Sequence, residues 1–208
     1  MPLVAILLLV LALAAAPASA QVQAQARPAT AGATACAAGG SVTVARGVQA
    51  RVYVRAQRGD GDRHELVGCL LGSGRKLLLD SWFSCGCSRG DESAPQVWLR
   101  GTVVAINRYG CPPGPELGPC VGRVRSVALR SGRTLREVET GGLIGQLVLG
   151  ERGAFALSVD GAVRKADADG VATLDRGPGV EDGSLALAGP LLYWTRDGAP
   201  HSARLRFR

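Results

Sequence analysis

From about Ser41 onward the chain runs in short segments rich in Val, Leu, Ile and Tyr, broken by Gly, Asp, Pro and Ser. No window of about 11–18 residues keeps the spacing of an amphipathic helix, so the body reads as all-β. Residues 69–79, 127–137 and 164–174 can be laid over one another. Each is a strand, a turn centred on Gly and a second strand, with Ser73-Gly74, Ser131-Gly132 and Asp169-Gly170 at the turns. Gly supplies the positive φ of such a turn, and the Ser or Asp before it caps the bend.

A second set of segments, 96–106, 146–157 and 184–194, interleaves with the first. Its second strand is almost continuously apolar, as expected where both faces are covered. Together the two sets define four units, at about 42–80, 96–138, 143–176 and 180–207. A period near 40 residues with up to four strands per unit predicts a small four-bladed β-propeller-like domain over residues 41–208. The last unit carries three strands, and Ser41-Val42-Thr43-Val44 is the expected fourth, closing the ring. An open β-sandwich or a single curved sheet is the alternative with a similar strand count.

Four stretches carry a resemblance. They are Leu66-Val67-Gly68-Cys69 before Gly74-Arg75, and Val127-Ala128-Leu129 before Ser131-Gly132-Arg133. The others are Leu147-Val148-Leu149 before Gly153-Ala154-Phe155, and Leu185-Ala186-Leu187-Ala188-Gly189 before Leu192-Tyr193-Trp194-Thr195. On these, residues 40–207 resemble the uncharacterised exported β-propeller-like repeat proteins of high-GC bacteria. The resemblance implies a propeller-type β-fold and no activity, and it brings no catalytic residue with it.

Ahead of the body, residues 4–16 are an unbroken run of Val, Ala, Ile and Leu, followed by Pro17-Ala18-Ser19-Ala20. A short apolar run and then an A-x-A site is the pattern of a secretory signal peptide over residues 1–20. Ala18 and Ala20 are the cleavage residues, with the cut before Gln21. Ala16-Pro17-Ala18 is a second candidate site. No Lys or Arg precedes the run, so an uncut signal acting as a membrane anchor is the alternative. Residues 21–40 begin low in complexity and read as a disordered tether. The expected location is secreted, or at least extracytoplasmic.

The six cysteines, Cys36, Cys69, Cys85, Cys87, Cys111 and Cys120, all follow the signal. An even number in an exported chain reads as a disulfide framework. Cys111 and Cys120 bracket a Pro/Gly loop whose ends a hairpin brings together. Cys36 with Cys69 is the next expected pair, and it tethers the N-terminal segment to the first unit. Cys85-Gly86-Cys87 is the remainder, either structural or a thiol-redox pair. Neither His64 nor His201 stands at a spacing that completes a zinc site with these cysteines.

Of 24 basic residues, 22 are Arg, and the formal net charge is +7. The arginines form no run of five or six, the aromatics number only nine, and the export signal also argues against nucleic acid as a partner. A protein or an anionic envelope polymer is the expected partner, and a membrane only through an uncut signal.

Signs of catalysis are few. Gly72-Ser73-Gly74 is a hairpin turn, not a nucleophile elbow. His64 lies in what reads as an exposed loop. Asp167-Ala168-Asp169-Gly170 fails as a calcium loop, because Lys165 and Arg176 stand where that loop needs acids. Asp60, Asp62 and Glu65 leave a weak calcium site open. Arg58-Gly59-Asp60 and Arg89-Gly90-Asp91 match the adhesive tripeptide, and chance supplies such matches in a chain this rich in Arg and Gly. No cofactor motif is legible. The segment 81–95 is the most unusual passage, and its Trp82 and Phe83 are candidate contact residues, or else a small core packed beneath the loop. The expected function is therefore binding without catalysis. An enzyme acting on envelope carbohydrate or peptide, and a thiol-redox protein using Cys85 and Cys87, are the alternatives.

Overall fold

The alternating segments become fifteen strands in the computed structural model, which describes residues 35–57, 63–83, 94–110 and 121–207. The first sheet holds β1 (Val42–Arg46), β2 (Ala50–Ala56), β3 (Arg63–Leu70) and β4 (Lys76–Phe83). The second holds β5 (Gln96–Arg100), β6 (Val103–Gly110), β7 (Val121–Ala128) and β8 (Thr134–Thr140). The third holds β9 (Ile144–Leu149), β10 (Phe155–Val159), β11 (Ala162–Asp167) and β12 (Gly170–Arg176). The last holds only β13 (Ala186–Ala188), β14 (Leu191–Arg196) and β15 (Ala199–Arg204). Every sheet is an antiparallel meander in chain order, and each of the four expected units corresponds to one sheet.

Sequence and structure part at the ends of this series. Residues 42–46 do not complete the last sheet; they pair with β2 in the first. Only residues 47–49 separate these two strands, so their pairing closes a far shorter loop than a partner at the other end of the chain would. Among the described residues no strand joins the last sheet to the first. The signal segment, the N-terminal part of the tether and the cysteines at 85, 87, 111 and 120 lie outside the described residues. No helix among the described residues is long and apolar enough to cross a membrane.

The sheets stack face to face in order, with their first strands side by side. Each junction is a core cluster. Val52, Leu66 and Leu79 meet Val104, Ile106 and Leu129 between the first two sheets. Ala105, Val124 and Val138 meet Leu147, Phe155 and Leu157 at the second junction. Ala156 and Val163 meet Leu185, Leu192 and Trp194 at the third. A strand between two neighbouring sheets is covered on both faces, and this holds for β10 and for the centre of β6. It fails for β14, where Leu192 and Trp194 are buried but Leu191 and Tyr193 are 40% and 39% exposed.

Two devices recur at these junctions. In the first three sheets the fourth strand carries one extra residue opposite the third, and each time it is a leucine: Leu79, Leu135 and Leu174. A bulge re-aims its side chain. Leu79 and Leu174 thereby enter the core shared with the following sheet. Burying a leucine contributes about 2 kcal/mol. The residue after two of these leucines is an acid bound by an arginine of the next sheet. Arg108 Nη1 lies 3.0 Å from Asp80 Oδ1, and Arg196 Nη1 lies 2.6 Å from Asp175 Oδ1. Gly68 also belongs to the first junction. A Cβ there would fall on Leu129 Cδ2 and within 3.1 Å of Leu79 Cδ1, which is why a glycine interrupts the apolar run of β3.

Residues 36–41 cover part of the outer face of the first sheet, where Leu78 and Phe83 remain 54% and 52% exposed. Cys36 is disulfide-bonded to Cys69, as expected from the sequence, with 5.7 Å between their α-carbons. Tyr53, Val67 and both cysteines are buried beneath that flap. An exported chain keeps such a bond, whereas the cytosol reduces it.

Candidate functional site

Along β6 the residues facing the first sheet read Val104, Ile106, Arg108, Gly110. Along β7 the same face reads Val127, Arg125, Arg123, Val121. The apolar end of these rows packs into the first junction. The arginine end is left as an open cleft of about 330 Å³, lined by Asp80 of β4, Ile106, Arg108, Arg123, Arg125 and Glu137 of β8, with Gly110 and Val121 at its rim. Antiparallel register sets the arginines side by side, since Arg108 pairs with Arg123 and Ile106 with Arg125.

Three guanidiniums thus share one small space, and their charges are not equally compensated. Arg108 is held by Asp80 and also donates to the Ser81 carbonyl at 3.2 Å. Arg123 reaches Glu139 at 2.8 Å and Glu137 at 3.3 Å, but it is 56% exposed, and such surface pairs exchange readily with solvent ions. Arg125 donates to the Leu79 carbonyl, which orients its planar fork without neutralising it. Among the described residues no carboxylate pairs with Arg125. An arginine fixed in this way over an apolar floor suits a planar anion, which it can bind through two parallel hydrogen bonds.

The other sequence candidates fall elsewhere. Trp82 is 6% exposed within the first junction, stacked on His64 with ring centroids 5.5 Å apart. Its face is used in packing. Phe83 is 52% exposed, with the Arg63 guanidinium over its ring at 5.8 Å. His64 is on β3, paired with Trp82, and not in an exposed loop; the strand begins at Arg63, earlier than the polar run before it suggests. His201 stacks on Trp194 across β14 and β15. Ser73 lies in the β3–β4 hairpin turn, as read from the sequence. Glu65, one of the three calcium candidates, is bound to Arg55 at 2.7 Å, while Asp60 and Asp62 lie outside the described residues. The two tripeptide matches and the Cys85–Cys87 pair also lie outside them.

Asp167, first of the failed calcium pattern, is buried and structural. It takes the Lys165 ammonium at 2.7 Å and the backbone N–H groups of Asp169 and Arg206 at 2.9 and 3.0 Å. Burial pushes its pKa up, but these bonds outweigh burial and hold the carboxyl below its ordinary value. Asp175 is also held low, first by the Trp194 indole N–H at 2.8 Å, then against burial by its bonds to Arg176 and Arg196. A wider hollow of about 570 Å³ lies on the outer face of the first sheet beside Gly39 and Gly40, where Arg55 and Glu65 satisfy each other. Among the described residues no three Cys, His, Asp or Glu side chains gather as metal ligands.

Sequence reasoning missed the cleft. Its signal was present as alternating Arg123 and Arg125 on a strand facing Arg108, but only the register places them together. No family model and no curated protein matches this chain.

Proposed function

We propose that this protein is an exported binding module, a propeller-like arc of four sheets related to the exported repeat proteins it resembles, and that it docks an anionic polymer of the cell envelope. The cleft between the first two sheets is the docking site. The observation that carries this reading is Arg125, oriented by a carbonyl, without a carboxylate partner among the described residues and set over Ile106 and Val121. The net charge of +7 adds a long-range pull on the same class of ligand. The Cys36–Cys69 bond is compatible with the extracytoplasmic setting.

Isothermal titration with polygalacturonate as the carboxylate probe and polyphosphate as the phosphate probe tests this, with neutral dextran as the control. Binding of either polyanion that weakens with added salt is expected. Arg125→Gln should reduce affinity about 10-fold or more, the worth of a charged hydrogen bond. Arg204→Gln removes the same charge from the last sheet and should change affinity less than about 2-fold. Equal losses in the two variants would reduce the attraction to net charge and refute the site.

A further inference from the structure

Arginines that form no run in the sequence are gathered by the topology. Each of the first three sheets sends its first-to-second and third-to-fourth connections to the same end of its strands. Arg46, Arg75, Arg100, Arg130, Arg133 and Arg152 stand in or beside those turns, and all six are exposed. The three ends lie together. Arg75 Nη1 donates to the Arg130 carbonyl between the first two sheets, and Arg100 Nη1 donates to the Leu149 carbonyl at 3.3 Å between the second and third. A carbonyl orients a guanidinium without neutralising it. Among the described residues none of the six meets a carboxylate, whereas Arg55, Arg108, Arg123 and Arg196 each do. The opposite end carries Asp160, Glu181, Asp182 and Asp197 in its described turns. The stack is therefore polarised, basic at one end and acidic at the other.

We propose that the basic end docks on an anionic lipid surface. Its six charges are spread over the turns of three sheets rather than gathered in one cleft, which suits a field of headgroups better than a single polymer strand. Val48, in the turn between β1 and β2, is 94% exposed at this end. It lines a hollow of about 280 Å³ together with Arg130, Leu70, Ser73 and Thr102. An apolar tip beside guanidiniums is poorly placed in water. At a bilayer the tip enters the headgroup layer while its neighbours meet phosphates. The chain also joins the described structure here, since Cys36 Sγ lies 3.6 Å from the Leu70 carbonyl. The apolar run of residues 4–16, which carries the expected export signal, is thus linked to the basic end and not to the acidic one. The acidic turns add repulsion on the far side, so an anionic surface orients the molecule as well as attracting it. The arginine cleft lies toward the acidic end, where β6 finishes and β7 begins, and a lipid-docked molecule presents it outward.

Flotation of the full chain with vesicles tests this, using phosphatidylglycerol and phosphatidylcholine in equal parts against phosphatidylcholine alone. Each arginine near an anionic surface strengthens attachment about 5-fold, so the anionic vesicles should hold the chain at least about 100-fold more tightly, and less so as salt rises. Arg130→Gln with Arg133→Gln should lower that attachment at least about 10-fold, and so should Val48→Asp, each with the thermal melt unchanged. Arg176→Gln removes an exposed charge from the acidic end and should change it less than about 2-fold. If one variant fails to fold, the other stands as the test. Equal attachment to both kinds of vesicle, or to neither, overturns the proposal, because any binding is then the work of the apolar run alone. A double arginine variant that attaches like the unaltered chain overturns it too. So does one that loses affinity for polygalacturonate as much as for vesicles, which would make this end a polymer-binding patch.

Discussion

Asp167 shows how a single side chain fixes the end of the chain. Its two carboxylate oxygens collect three donors, and one is the backbone N–H of Arg206, 39 residues away. The turn at Asp167–Gly170 was legible from Asp and Gly alone. The hold on residues 205–207 was not, because a contact at that distance leaves no local pattern. The carboxyl is held below the ordinary aspartate value of about 3.9. Its stabilising effect is therefore full above about pH 4 and is lost as pH falls through the lowered value. Asp167→Asn should cost about 2–4 kcal/mol at neutral pH, since Lys165 is left buried without its partner. The variant should also lose part of the wild-type fall in stability on acidification. Urea unfolding across acidic pH measures both. Parallel wild-type and variant curves would show that Asp167 does not titrate with folding.

At the level of strands and sheets, the Gly-centred hairpins were legible, because a turn needing positive φ marks its own position. The two-residue turns at Asp160-Gly161 and Asp197-Gly198, with positive φ at all four residues, were equally open to reading. What ties one sheet to the next was hidden, since the bulged leucines and the acid–arginine pairs depend on register. The pairing recurs at two of the three junctions. Asp80 with Arg108 and Asp175 with Arg196 link the first and third junctions. At the second junction Arg136 stands in the acid's place after its leucine and donates to the Leu135 carbonyl instead of pairing with the next sheet. A double-mutant cycle with Asp80→Asn and Arg108→Gln should give a coupling of about 0.5–1 kcal/mol, given that Arg108 is partly exposed. Zero coupling would mean that the leucines alone register the sheets.

The whole molecule is an all-β stack of four sheets, three of four strands and one of three, and sequence periodicity located each of them. Ring closure by residues 41–44 was not realised, because β1 had a nearer partner in β2. The flap over part of the first sheet's outer face is tied down by a disulfide joining residues 33 apart. Replacing Cys36 and Cys69 together by Ser should lower the unfolding free energy by about 3 kcal/mol, chiefly through the freed unfolded chain. An unchanged denaturation midpoint would show that packing of Tyr53 and Val67 holds the flap unaided. The central claim concerns the cleft between the first two sheets, and side-chain NMR tests it most directly. In a titration of the full chain with polygalacturonate, the arginine Nε–Hε signal of Arg125 should shift first and most, followed by Arg123 and Arg108. The arginines of the last sheet should stay in place. Uniform small shifts across all arginines, or none at Arg125, would contradict the account.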